Sequence, residues 1–179
     1  VKNEVDLRLS IAKSLAIQFN EFWFYKIPDG MGLAGISRFI VEKPFDCFLF
    51  TPKSQGLKQE TRMGIELKFH KSSGAFQIKD IRKSEKPKHN IRPNQIEGLL
   101  KAKRQGLRAC FLIGVEFENR NGSEKFIVVI KPEEMKKLWD SDTKEITLQE
   151  LKKYFMIPWI KKGRVSLWDM KYFLNSKWD

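Results

Sequence analysis

Histidine and cysteine are nearly missing, with two of each in 179 residues. So small a supply argues against a structural zinc site. Cys47 and Cys110 sit inside apolar, strand-like runs and read as small buried hydrophobes, not as a disulfide framework, which fits a reducing cytoplasm. No apolar run approaches the length of a membrane span, and the start, Val1 to Asp6, is polar and lacks a signal-peptide core. Internal repeats are absent, and no composition shift marks a second domain. The expectation is a single domain over 1–179, with a core at about 4–131 and a helical part at about 132–179. Hydrophobic residues make up 41% and include fourteen Phe and five Trp, enough for a core without staples.

Charge is what the chain has in excess, and it is unevenly placed. The formal net charge is +12, and residues 68–108 alone carry +9, twelve Lys and Arg against three Asp and Glu. A polyanion is the natural partner for such a stretch, although a solvated lysine-rich loop has the same composition. Arg82, Lys83, Lys86, Lys88 and Arg92 are the candidates for contact with a phosphate backbone, which positions a duplex without reading its sequence.

The excess begins beside a distinctive pair of strands. Met63-Gly64-Ile65-Glu66-Leu67-Lys68-Phe69 alternates, so Met63, Ile65, Leu67 and Phe69 face one way and Gly64, Glu66, Lys68 and His70 the other. Upstream, Pro44-Phe45-Asp46-Cys47-Phe48-Leu49-Phe50 forms the neighbouring strand. If the two pair, Asp46 comes close to Glu66. Converging carboxylates repel unless a cation sits between them, and hard cations such as Mg2+ take oxygen ligands. A lysine at the edge of such a site can hold a water or a phosphate oxygen. The alternative is a surface acid beside a cross-face ion pair, since charges alternate on many half-exposed strands.

The other elements follow from periodicity and turn chemistry. Residues 5–20 read as an amphipathic helix and 22–27 as an aromatic strand ended by Pro28-Asp29-Gly30. Ile36 to Val41 fits either a short strand or a helical turn. Strands follow at about 45–51 and 62–70. Residues 71–92 read as a loop with a short edge strand at Phe76 and Ile78. A helix opens at Pro93 and stops at Gly106. Buried-type strands follow at 109–115 and 125–130. The remainder reads as helical: 132–139, a second helix opened by the capping box Thr147-Leu148-Gln149-Glu150 and running over 148–155, and a third capped by Ser166 to Asp169. Trp159, Trp168 and Trp178 read as helix-packing residues or as part of a dimer surface. The fold class is α/β: a mixed central β-sheet flanked by helices, with small helices at the C-terminus.

This order resembles the PD-(D/E)xK nuclease superfamily. Asp46 matches the first acid of its motif, with Pro44-Phe45-Asp46 in place of an adjacent Pro-Asp, and Glu66-Leu67-Lys68 matches E-x-K. Asn90 to Glu97 looks like the segment that opens the glutamine-bearing helix in RecU-type Holliday-junction resolvases. The resemblance implies a restriction-endonuclease-like core. It implies Mg2+, with Mn2+ able to substitute, held by Asp46, Glu66 and the Leu67 carbonyl. It implies Lys68 and Gln95 as catalytic partners and Glu4 on the first helix as an additional group, with Asp6 as its rival. Arg38 and Lys71 are candidates to touch the scissile phosphate. The activity implied is a structure-selective DNA endonuclease that acts on four-way junctions as a homodimer and leaves 5′-phosphate and 3′-hydroxyl ends. The rivals are a restriction- or repair-type nuclease on the same core and a non-catalytic basic DNA-binding module. The resemblance departs from the family between Lys68 and Gln95, where this chain is longer and lacks the usual histidines, and at Gly30 to Glu42, where the junction-engaging insertion is reduced.

Overall fold

The computed structural model describes residues 3–27, 44–53, 56–79, 90–119 and 122–179. Helix α1 (Glu4–Gln18) starts where the Asn3 side chain accepts a hydrogen bond from the Asp6 N–H at 3.0 Å. It buries Leu7, Ile11 and Leu15, one residue per turn on one stripe. Strands β1 (Trp23–Lys26), β2 (Cys47–Thr51) and β3 (Thr61–His70) form an antiparallel run. The short β4 (Phe76–Gln77) pairs with β7 (Glu145–Ile146) in a separate two-stranded sheet. Between them come α2 (Pro93–Arg104), β5 (Arg108–Asn119), β6 (Gly122–Ile130) and α3 (Pro132–Asp140). The chain ends with α4 (Leu148–Leu151), β8 (Phe155–Ile157), β9 (Trp159–Lys162), β10 (Val165–Trp168) and α5 (Met170–Asn175).

The result is α/β, with a six-stranded mixed sheet in the order β1-β2-β3-β5-β6-β8. β3 and β5 are parallel, and every other neighbouring pair is antiparallel. The α2 crossover makes the parallel pair possible. Both faces of the sheet are covered, and each carries its own core. Met63, Ile65 and Leu67 lie with Leu7, Ile11 and Leu15 of α1 and with Phe173 and Trp178. Phe111, Ile113 and Val128 lie with Ile96 and Leu99 of α2 and Met135 of α3. The alternation expected for β3 is thus present, and Cys47 and Cys110 are buried free thiols. No helix among the described residues is long and apolar enough to cross a membrane.

The expectation of a wholly helical remainder is corrected. Residues 155–157, 159–162 and 165–168 are strands, and α4 ends at Leu151. Phe155 to Ile157 takes the open edge of β6, where its backbone groups find partners that a helix extension would not need. Gly163, at φ +62°, then turns β9 into β10 across a two-residue loop. Asp169 does cap the last helix, accepting from the Tyr172 N–H at 2.9 Å. The C-terminal part also contributes to the core: Ile157, Trp168, Met170, Phe173 and Trp178 pack with α1. Ile36 to Val41 and the turn at 28–30 lie outside the described residues.

One close approach fixes where β2 begins. A Cβ on Gly98 of α2 would stand 2.0 Å from the Pro44 carbonyl oxygen, so only glycine lets α2 pass the segment that leads into Asp46. Phe45, buried, lays its ring over Gly64 of β3. Substituting Gly98→Ala is therefore expected to destabilise the protein by about 1–3 kcal/mol, as overpacking of a tight contact does. Urea unfolding would measure it, and an unchanged midpoint would show that α2 does not hold this segment.

Candidate active site

β2 begins at Cys47, opposite Ile65, so the same register sets Asp46 opposite Glu66. Beyond that point β3 continues for four residues, paired with β5 but without β2 beside it. A gap opens there at the end of the sheet, and the N-terminal ends of α1 and α2 close over it. A cleft of about 260 Å³ results, lined by residues that include Glu4, Arg8, Lys26, Asp46, Glu66, Lys68, Arg92 and Gln95.

Glu66 is at the centre and only 1% exposed. Its Oε1 accepts from Lys68 Nζ at 3.0 Å and also from Gln95 Nε2. Gln95 is itself fixed at its other end, because its Oε1 accepts from the Arg92 N–H at 2.9 Å. A residue that caps α2 therefore also aims its amide at the buried carboxylate. Asp46 Oδ2 accepts from the Leu67 N–H at 3.1 Å. The N–H and C=O of one strand residue point to the same side, so the Leu67 carbonyl faces the same gap. Glu4, half-exposed, reaches within 3.7 Å of Lys68 Nζ.

The electrostatics are uneven. Burial pushes the Glu66 carboxyl up from 4.5 to about 7; the Lys68 ammonium opposes the rise and the Asp46 charge adds to it. The carboxylate is thus short of positive charge, even with a lysine at hydrogen-bond distance. Two helix N-termini point at the cleft, and the first turn of α2 carries no acid to offset its dipole.

The structure therefore brings together Asp46, Glu66, Leu67, Lys68, Gln95, Glu4 and Arg92. It separates Lys71, which lies at another hollow with Ser72, Ser73, Glu116, Phe117 and Glu118. Lys71 follows the end of β3 at His70 and is not among the residues that line the cleft. Arg38, Arg82, Lys83, Lys86 and Lys88 lie outside the described residues. Two cations that sequence reasoning passed over, Arg8 and Lys26, line the cleft. Arg8 stands one helical turn after Glu4, a spacing that could have flagged it. Lys26 could have been found only from the β1–β2 register, which sets it opposite Cys47. His70 has a structural setting instead, with Nε2 2.9 Å from the Gly74 carbonyl and its ring edge-on to Phe76.

Among the described residues no three His, Cys, Asp or Glu side chains converge as a ready metal cage. What the cleft offers is oxygen only: two opposed carboxylates, the Leu67 carbonyl and the more distant Glu4. That donor set suits a hard cation that keeps several of its own waters, as Mg2+ does, and does not suit zinc. The raised Glu66 carboxyl is in keeping with a site that lacks positive charge. No protein-family model matches the chain, and no curated protein matches it.

Glu66 gives the metal-free protein a distinctive pH dependence. Its folded state binds the proton more tightly than the unfolded chain, so this contribution to stability is complete below pH 4.5 and is lost as the pH rises towards about 7. The loss is on the order of 3 kcal/mol. Denaturant unfolding in EDTA should show the decline across that window, and Glu66→Gln should flatten it. A parent protein equally stable at both ends would contradict the buried, poorly compensated carboxylate.

Proposed function

We propose that this protein is a divalent-metal-dependent DNA endonuclease with a site of the PD-(D/E)xK type on a restriction-endonuclease-like core. The observation that carries the proposal is the meeting of Asp46, Glu66 and Lys68 in a gap at the end of β3, with Lys68 at 3.0 Å from Glu66. The positively charged wall around them suits a phosphodiester. Held by Asp46, Glu66 and the Leu67 carbonyl, Mg2+ or Mn2+ would neutralise phosphate charge and make a water more acidic.

The protein's own residues do the rest. Lys68 Nζ, the donor that stands at hydrogen-bond distance from Glu66, orients the attacking water or steadies charge on the phosphate oxygens in the transition state. Gln95 is a positioning residue: it holds Glu66 in one rotamer through an amide that the helix start fixes. Arg8, Lys26 and Arg92 draw the phosphate backbone to the opening. In-line hydrolysis at such a site leaves a 5′-phosphate and a 3′-hydroxyl. The substrate proposed is a four-way DNA junction, and paired symmetric cuts would need two copies of the site, hence a twofold homodimer. Sites of this kind also serve restriction and repair nucleases on the same core, so the substrate must be read from cleavage.

The test compares a four-way junction, a fork, a flap and linear duplex in Mg2+, Mn2+ and EDTA. The junction should be cut preferentially, and only with metal. Linear duplex cut equally well would replace the resolvase reading with the restriction or repair one. Asp46→Asn and Glu66→Gln should each lower cleavage by about 10³-fold, and Lys68→Ala by about 10²–10³-fold. Gln95→Ala, acting through Glu66, should cost about 10–100-fold. If Asp46→Asn and Glu66→Gln cut as fast as the parent, the cleft is not the catalytic site.

A further inference from the structure

We propose that the β9–β10 hairpin is a second phosphate-backbone contact, which grips a duplex arm beside the cleft. The inference rests on the nuclease reading above and extends it to a surface that lies on another part of the sequence from the basic stretch 68–108.

The hairpin tip is Lys161-Lys162-Gly163-Arg164, and all four residues are exposed. No acid occurs between Pro158 and Trp168. None of the three cations has an ion-pair partner among the described residues, whereas Lys136, Lys152 and Arg108 are each tied to an acid. The loop is short and its turn geometry is defined. Lys162 pairs with Val165, Gly163 takes φ +62° in the first loop position, and the pattern is that of a type II′ turn. The base of the hairpin is locked to α1. The Trp168 N–H donates to Ser14 Oγ at 3.0 Å, its indole Nε1–H donates to Ser10 Oγ at 2.9 Å, and its ring stands edge-on to Trp159. Charges on a fixed support lose little freedom when they bind, which favours a binding role over mere solubility.

Direction comes from the same contacts. After Trp168 the chain passes on to Lys171, whose N–H donates to Gln18 Oε1 at 3.1 Å, at the far end of α1. The chain here follows α1 in the sense Glu4 to Gln18, and on the way in it leaves β8 at Ile157, opposite Ile127, heading for the end of β6 that faces, across β5, the C-terminal end of β3. Followed backwards, it leads towards the Glu4 end, where Glu4 approaches Lys68. A strand advances about twice as far per residue as a helix, so the few residues from Trp168 back to the loop span much of the way from Ser14 to Glu4. The tip thus stands at the cleft's end of the molecule, on the side of the sheet that α1 covers. A phosphate backbone running out of the cleft past α1 would meet three donors of positive charge. Such contacts carry no sequence information; they set the register of an arm against the scissile position.

The test uses the whole chain. Parent and a Lys161→Glu/Lys162→Glu/Arg164→Glu variant are titrated by fluorescence anisotropy against a labelled four-way junction in EDTA, from about 50 to 200 mM salt. The slope of log affinity against log salt should shrink by about 2 to 3 in the variant, with thermal melting unchanged. A glutamine version of the same triple change should shift the slope the same way by a smaller amount. A variant with the parent's slope overturns the hairpin contact. Should the parent, assayed in parallel with Mg2+, cut the junction while the variant keeps its slope, the nuclease reading survives and only the hairpin falls. A parent that neither binds nor cuts DNA overturns both.

Discussion

Everything at the cleft depends on one buried carboxylate. Glu66 is all but inaccessible to water, and its negative charge is costly there unless something positive stays close. Lys68 supplies part of that, and the Gln95 amide supplies a neutral hydrogen bond to the same oxygen. The compensation is incomplete, because the carboxyl is still pushed up to about 7. A fold that only needed stability would have an apolar residue at this position, like its neighbours Ile65 and Leu67. An acid kept under-neutralised in a polar cleft is the kind of feature that function maintains at the expense of stability.

Three architectural details produce that situation. The close passage of α2 over Pro44, with no Cβ on Gly98, lets the chain enter β2 at a point where Asp46 faces Glu66. β2 starts opposite Ile65, three residues short of Lys68, and that leaves β3 without a paired strand where its backbone carbonyl and its two charged side chains are needed. The α2 crossover that makes β3 and β5 parallel also delivers its own N-terminus, with Gln95 in the first turn, to the same spot. The α1 N-terminus arrives from the opposite face and brings Glu4 and Arg8. The cleft is thus assembled where two layers of helix and one strand end meet, the sort of place where backbone dipoles favour an anion.

Much of this was legible beforehand, for identifiable reasons. β3 could be read because a period of two is a local property, and it put Glu66 and Lys68 on one face. Pro93 and Gly106 bracketed α2 by their fixed backbone preferences. The C-terminal strands were missed because Phe155 to Ile157 and Trp159 to Lys162 are too short to display a period. Their strand character comes from partners far away, β6 for one and β10 for the other. Lys71 was grouped with the site on nearness in sequence, whereas the fold sets it at a different hollow, beside Glu116 and Glu118.

The sequence by itself determined the strand that bears Glu66 and Lys68, the helix that starts beside Gln95, and the excess of positive charge, since each follows from local spacing or simple composition. Only the tertiary structure decided that Asp46 lies opposite Glu66, that Arg8 and Lys26 join the same cleft, and that the strand ending in Trp168 is tied to α1. Those relations are set by strand register and by how helices seat on the sheet, and both depend on contacts between residues that are distant along the chain.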